Sequence, residues 1–376
     1  MKRTLVFGLV LLLVSTAIFA EDAKVMPARV GRFYLAPTFG FANGGFDSDG
    51  KYESFDSGEG SMKMFNLGFA LEYGIINWIT GAIQWAPGIN IWSDVDTSLG
   101  TDSTVNANGL ADLFVGAKMQ ILGNQGPVEN ETIRFAIAPG VKIPLPGPDF
   151  EEQFDNRAKN EPVTAANIDK HSLGLGVRAY FDYLINDKFF INLYGEFVGY
   201  PVKQDIRKSG IESYMAELIA KGGLAAAAPP LAGDIMNSTI IKDGEVNYGY
   251  DLTFEMEPVF STSIGQGTVL TAGLPLNFKL SPAKKYDLTI TDEFATLANG
   301  IMPGMADTVK DNILNGLNGD GSPNYIFSLK PGVSVFFMGW TLPMEFKVQY
   351  SAPIFGQNIG NALHTITFQA RLYFKF

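Results

Sequence analysis

The sequence predicts an all-β membrane fold: an antiparallel transmembrane β-barrel of twelve strands, with fourteen as the alternative count. Three observations predict it. The final stretch, His364 to Phe376, alternates strictly, with Ile366, Phe368, Ala370, Leu372, Phe374 and Phe376 on one parity and Thr365, Thr367, Gln369, Arg371, Tyr373 and Lys375 on the other. That is a period of two over a length that crosses a bilayer as a tilted strand. Similar segments recur along the chain. The connections between them alternate short and long, the layout of periplasmic turns and external loops. A soluble sandwich would need polar residues on the outer parity, which here is almost wholly apolar.

The first twenty residues read as a secretory signal. Lys2 and Arg3 form the basic start, Leu5 to Leu13 the apolar core, and Ala20 the small residue before a cut ahead of Glu21. Residues 21–376 then form one barrel domain. Removing the leader makes the formal net charge of -11 more negative still. That acidic balance argues against nucleic-acid binding. There is no cysteine, so the fold has no disulfides to rely on. A closed ladder does not need them, because it leaves no strand edge unpaired.

The strands follow in order. Strand one presents Phe33, Leu35, Pro37, Phe39 and Phe41 outward, and a long acidic loop runs to about Ser61. Strand two presents Phe65, Leu67, Phe69, Leu71 and Tyr73. A tight turn at Ile76-Asn77 leads to strand three, with Ile79, Ile83, Trp85, Ile89 and Ile91 outward. A polar loop spans 94–108. Strand four (109–122) puts Leu113, Val115, Ala117, Met119 and Ile121 outward. Strand five (132–144) does so with Phe135, Ile137 and Val141, and strand six (172–186) with Leu173, Leu175, Val177, Phe181 and Tyr183. Strand seven (188–201) uses Phe189, Ile191, Leu193 and Phe197. Strand eight (246–261) uses Tyr248, Tyr250, Leu252, Phe254 and Met256. Strand nine (267–280) uses Leu270, Leu274, Leu276 and Phe278, and strand ten (325–337) Phe327, Leu329, Val333, Val335 and Phe337. Strand eleven (340–353) carries Trp340, Leu342, Met344, Phe346, Val348 and Tyr350. The C-terminal stretch is strand twelve.

Two external loops carry helical periodicity. In the first, about 203–245, Ile211, Tyr214, Met215, Leu218 and Ile219 recur at helical spacing behind a Ser209/Glu212 capping box. In the second, about 281–324, Asp292 and Glu293 open a helix whose Phe294, Leu297, Ala298 and Ile301 share a face. Pro303-Gly304 breaks it, and a further face begins at Met305. An amphipathic helix buries its apolar face. The two insertions pack on each other as a lid, or line an external pocket for an apolar ligand through Tyr214, Met215, Leu218, Phe294, Leu297 and Met305. Both readings are compatible.

The inward parity carries charges of both signs: Glu72, Glu196, Glu255 and Glu345 against Lys118, Arg134, Arg178 and Arg371. Mixed signs suit paired networks that fill a lumen, whereas a ring of one sign suits an ion-selective pore. The two histidines, His171 and His364, fall on outward positions of different strand ends, and no nucleophile–base spacing is present. The chain therefore reads as a non-enzyme with no cofactor. The acidic loop cluster Asp47, Asp49, Glu53 and Asp56 departs from calcium-loop spacing, so no metal site is expected.

Gly109-Leu110-Ala111-Asp112-Leu113 with Gly116 and Lys118, followed by Pro139-Gly140-Val141-Lys142-Ile143-Pro144, resembles the glycine-rich strand pair of the MetA-pathway phenol-degradation barrels. Those belong with the FadL-like outer-membrane transporters. Leu71 to Ile75 fits the same family, so the likeness covers strands two to five. It implies a bacterial outer-membrane location after Sec-dependent export and uptake of small hydrophobic or aromatic, fatty-acid-like molecules. A general diffusion porin and a structural or adhesive barrel are the alternatives. It also implies a lateral opening at a kink in strand three, where Pro87 and Gly88 stand. Pro139-Gly140 and Pro331-Gly332 repeat the dipeptide elsewhere. FadL has an N-terminal plug, whereas here about ten residues precede strand one, so a plug is expected from the helical loops instead. The partners implied are outer-membrane lipid, the solute and the barrel-assembly machinery, which reads a terminal strand ending in Phe376.

Overall fold

The computed structural model describes residues 22–55, 61–93, 105–145, 170–205, 241–318 and 321–375. The leader, residues 206–240 with the first helical insertion, and Phe376 lie outside the described residues. The strands are β1 (Val30–Ala42), β2 (Gly44–Phe46), β3 (Tyr52–Ser54), β4 (Met62–Ile76), β5 (Ile79–Ser93), β6 (Val105–Gly109), β7 (Leu113–Leu122), β8 (Ile133–Ile143), β9 (Gly174–Leu184), β10 (Phe189–Gly199), β11 (Gln204–Asp205), β12 (Ile241–Asn247), β13 (Tyr250–Gly265), β14 (Thr268–Gly273), β15 (Leu276–Ser281), β16 (Lys285–Ile290), β17 (Asn324–Leu329), β18 (Gly332–Phe337), β19 (Met344–Gln357) and β20 (His364–Lys375). Two helices, α1 (Asp292–Ile301) and α2 (Met305–Asn318), lie between β16 and β17.

Every barrel contact is antiparallel, and the order follows the sequence. β1 pairs with β4, then β5, β6/β7, β8, β9, β10 and β13 in turn. β13 pairs with both β14 and β15, these with β18 and β17, and those with β19. β19 pairs with β20, which closes on β1. β6/β7, β14/β15 and β17/β18 are each one pass interrupted midway, so the closed barrel has 12 strands. Two of the interruptions fall at Pro275 and Pro331, where proline brings no N–H to the ladder.

The alternation read from sequence is realised as an apolar outside. Phe33, Leu35, Phe39, Leu71, Val177, Phe197, Phe254, Phe346 and Phe368 are exposed, Phe39 at 51%, while Tyr34, Ala36, Ala70 and Asn66 between them are buried. No helix among the described residues is long and apolar enough to cross a membrane. The strands make the crossing.

Three inward or outward assignments change. Ile91, expected outward, is buried in the interior, because an extra residue at Ala86-Pro87 flips the pleat of β5 beyond it. Tyr248, expected on the lipid face, precedes the barrel strand. Gly249 turns the chain at φ +67°, and the Tyr248 ring packs on Tyr200 at 6.2 Å. His171, expected outward, sits in a left-handed turn at φ 48° with Nδ1 3.0 Å from the Leu145 carbonyl and 3.5 Å from Asp112.

The second insertion folds on a small external sheet, β11-β12-β16. Thr291 caps α1 by accepting from the Phe294 amide at 3.2 Å, and Gly304 at φ +80° permits the break before α2. Phe294, Ala298, Ala306 and Ile313 pack with Leu288 of β16 as a separate apolar core. Hairpin β2–β3 docks on the loop before β20, beside Ile326 of β17. Phe46 and Ile359 exchange backbone hydrogen bonds of 2.6 and 2.8 Å. A side chain at Gly45 would meet the Ile359 carbonyl at 2.3 Å, so only glycine fits there.

Candidate functional site

The chain ahead of β1 enters the barrel. The Arg29 amide donates to Gly74 at 2.8 Å, which holds the segment at the periplasmic end beside the β4–β5 turn. From there Met26 donates its amide to Thr80 Oγ1 at 2.7 Å, and Ala23 donates its amide to Asp182 at 2.9 Å. Lys118 donates to the Asp22 carbonyl, and Gln120 donates to the Ala23 carbonyl at 2.9 Å. Ala23 is buried against Ala136, Ala138, Tyr180 and Tyr194. The segment therefore forms a floor inside the wall from β4 to β10. The sequence points to the helical loops for a plug; the structure places a short extended segment, Asp22 to Met26, inside the barrel, where inward polar side chains of β5, β7 and β9 satisfy its backbone groups.

Above the floor the inner wall is built from charge pairs. Arg32 grips Glu72 through Nε and Nη2 at 3.0 and 2.5 Å, and Tyr34 donates to the same carboxylate at 3.2 Å. Arg371 Nη1 and the Tyr373 hydroxyl donate to Glu345 at 3.1 and 3.2 Å. On the facing wall Arg178 donates to Glu196 at 2.5 Å and to Gln84 at 2.8 Å. Asn277 and Lys330 hold Glu255 at 2.8 and 3.3 Å, and Arg134 stands 3.6 Å from Asp182. All eight charges named from the sequence thus line the interior, each beside a partner of opposite sign or a hydrogen-bonding neighbour. Burying such charges is tolerable only when they are paired.

The glycine-rich stretch on β7 and β8 has a packing reason. The Arg178 guanidinium lies over the Phe114 ring at 3.8 Å. A side chain at Gly140 would meet that ring at 2.2 Å, and one at Gly116 would meet it at 3.0 Å. The two glycines make the slot that lets a phenyl ring lie flat against the inner wall.

Towards the external end the inner wall turns apolar. Ala42, Met62, Met64, Ala86, Ile91 and Ala111 form one buried cluster. This patch coincides with the irregularity in β5. Leu67 pairs with Gly88 but Phe69 pairs with Trp85, so Ala86 and Pro87 stand opposite Gly68 alone. On the other side the ladder lapses between the pairs Gln84–Phe114 and Ile89–Gly109. There the strands are linked by a long Ala111 N–H to Ala86 carbonyl bond of 3.4 Å and by Trp85 Nε1 to the Ala111 carbonyl at 2.9 Å. Pro139-Gly140 and Pro331-Gly332 lie in unshifted register with their neighbours. Of these three Pro-Gly pairs, the one at Pro87-Gly88 shifts the register of the wall.

The loop candidates are scattered. Phe294 is buried at 2% in the helices' own core, Leu297 is exposed at 44%, and Met305 packs at the edge of that core. Tyr214, Met215 and Leu218 lie outside the described residues. At the mouth, Lys170 donates to Asp251 at 2.6 Å and lies over the Tyr200 ring at 4.0 Å. Lys284, in the loop after β15, lies over Tyr248 at 5.3 Å. Burial, with the nearby Lys170, pushes the Lys284 ammonium down to about 8.

A closed antiparallel barrel with an apolar outer belt and a polar inner wall is an outer-membrane β-barrel. The fold is similar to the crystal structure of an outer membrane channel from Pseudomonas putida F1, with a TM-score of 0.54 and 11% identity over 95% of this chain and 100% of that one. A Pseudomonas aeruginosa FadL homologue aligns over 93% of this chain and 90% of that one, with a TM-score of 0.36 and 10% identity. The CymD monoaromatic hydrocarbon channel aligns over 93% and 89%, with 0.32 and 8%. The first of these scores marks a shared fold; the other two do not. No protein-family model matches the chain, and no curated protein matches it in sequence.

Proposed function

We propose that this protein passes small hydrophobic or aromatic molecules across the bacterial outer membrane, and that they leave the lumen sideways through the wall at Pro87-Gly88. The observation that carries the reading is the coincidence of the shifted register at Ala86-Pro87 with the apolar inner cluster around Met64 and Ile91. A greasy solute gains little among the ion pairs below, and the floor from Asp22 to Met26 stands in the way of straight passage. The apolar patch offers it a surface, and the gap in the ladder offers a way into lipid. On this reading Leu297 and the loop segment with Tyr214, Met215 and Leu218 capture solute outside. The lumen charges Glu72, Lys118, Arg134, Arg178, Glu196, Glu255, Glu345 and Arg371 hold the inner wall rather than bind solute. The chain is exported by its first twenty residues and inserted through recognition of the strand ending at Phe376.

The test combines two measurements on purified barrel. Near-silent planar bilayers together with saturable entry of an apolar aromatic into proteoliposomes support lateral passage. A large, steady, ohmic conductance would replace it with a general diffusion porin.

A further inference from the structure

Three lysines from separate parts of the chain meet at the external mouth. Lys142 lies at the outer end of β8, Lys170 precedes β9, and Lys284 follows β15. Two tyrosine rings gather them. Lys170 Nζ lies 4.0 Å from the Tyr200 ring and 5.6 Å from Tyr248, Lys142 lies 5.9 Å from Tyr200, and Lys284 lies 5.3 Å from Tyr248. A ring face attracts an ammonium without cancelling its charge. Asp251 stands among them, and its carboxylate is already engaged. Lys170 and Ser281 each donate to Oδ1 at 2.6 Å, and Tyr200 donates to Oδ2 at 2.8 Å. Lys284 has neither an ion pair nor a hydrogen bond among the described residues. Burial and the charge of Lys170 push its ammonium down to about 8, as befits a cation short of a counter-charge. The surroundings are fixed. The Tyr200 amide donates to the Gly249 carbonyl at 2.9 Å, and a side chain at Gly249 would meet Pro282 at 3.0 Å. Lys284 and Tyr248 stay part-exposed, so a solute in the mouth reaches them.

We infer that Lys284, set beside Lys170 and the Tyr248 ring, anchors an anion site at the mouth, and that the site takes the carboxylate of a small aromatic acid. One ammonium left over matches one negative charge, and its N–H groups make charge-assisted hydrogen bonds to a carboxylate. A phosphate group brings more charge and more acceptor oxygens than that ammonium can serve. Lys142 and Lys170 are buried, and Tyr200 continues the inward parity of Glu196 and Val198. The cluster therefore belongs to the inner side of the wall, where a dissolved solute meets it and a lipid headgroup does not. The inference rests on the proposed passage of hydrophobic or aromatic molecules, and adds that the acids among them are gathered outside, before the wall.

Calorimetry on detergent-purified barrel at low salt and near-neutral pH tests it, with benzoate, benzyl alcohol and inorganic phosphate as probes. Benzoate is expected to bind about tenfold more tightly than benzyl alcohol, the scale of one charge-assisted hydrogen bond, and more tightly than phosphate. Lys284→Gln is expected to bring benzoate down to the level of the alcohol, and Lys284→Arg to keep the preference. Lys285→Gln, at the next and exposed position, should leave it unchanged. A second readout needs no variant. Benzoate affinity in the wild-type barrel should fall as the pH rises through about 8, where Lys284 gives up its proton. Equal affinities for benzoate and the alcohol overturn the inference, whether or not K284Q inserts. So does a preference that survives in K284Q, one that is lost equally in K285Q, or an affinity that stays flat across that pH range. Phosphate binding as tight as benzoate overturns the assignment to a carboxylate. The passage reading fails differently, when an apolar aromatic enters proteoliposomes no faster than protein-free vesicles, whatever benzoate binding shows.

Discussion

The backbone amide of Ala23 donates to both carboxylate oxygens of Asp182, at 2.9 and 3.0 Å, across 159 positions of sequence. The floor of the lumen is tied to β9 at this point. Asp182→Ala leaves that amide without its acceptor and Arg134 without its neighbouring carboxylate. The expected cost is about 1–3 kcal/mol for the unmet buried groups. Channel conductance in planar bilayers should rise as the segment loosens. An unchanged conductance would mean that Thr80, Lys118 and Gln120 hold the floor without Asp182.

Pro87→Val with Gly88→Val supplies the missing N–H and favours regular pleat. Uptake of an apolar aromatic should slow severalfold, with the heat-modifiable folded form intact. The same pair of changes at Pro331 and Gly332, where the register is already continuous, should have little effect. Equal slowing at both places would remove the case for β5.

Gly140→Ala places a methyl group where the Phe114 ring lies. The ring must move, and the Arg178 guanidinium stacked on it must move too. The expected loss is about 1–3 kcal/mol, as for other overpacked interiors. Urea unfolding in detergent measures it. Phe114→Ala combined with Gly140→Ala should recover part of the loss, because the clash is then gone.

Leu297→Asp changes an exposed position on α1 and leaves the Phe294–Ile313 core untouched. It should weaken capture of apolar solute while the barrel inserts normally. Phe294→Asp should instead unfold the helical pair, visible as new protease cuts between residues 291 and 318. Wild-type uptake in both variants would reduce the insertion to a cover.

Deleting Phe376 should lower the amount of folded, heat-modifiable barrel in outer membranes. Undiminished assembly would show that the alternating residues before it are signal enough.

Much of the barrel was legible because a lipid-facing strand advertises itself at every second position. Phe33 to Phe41, Phe65 to Tyr73 and Ile366 to Phe374 required no further information. The charges Glu72 and Arg371 were legible as inward for the same reason. Their pairings with Arg32 and Glu345 were not, because they depend on which strand lies beside which. Parity failed at Ile91, since a single extra residue at Ala86-Pro87 inverts everything after it. The Pro-Gly dipeptide was the visible warning, but three barrel passes carry it and it shifts the register in one. The floor was missed because Asp22 to Met26 is too short to show a period. Its small apolar residues, Ala23 and Val25, were the sole sign that it is buried.

The join between β1 and β20 is held three times over: by its ladder from Val30–Lys375 to Phe41–His364, by the clasp of Phe46 on Ile359 outside, and by Arg32, Tyr373, Glu345 and Arg371 within. The ladder, the Phe46–Ile359 clasp and the Arg32–Tyr373 hydrogen bond link the two ends of the chain, so each closes a loop of most of the sequence. Loop-closure entropy grows only slowly with length, but it must be met before any of the contacts forms. Until β20 arrives, β1 is an open edge able to pair with any passing strand. Once it arrives, three independent fastenings must release together before the ring reopens. The seam thus works as a latch in time, slow to engage and slower to release, and it is where the lifetime of the folded barrel is set.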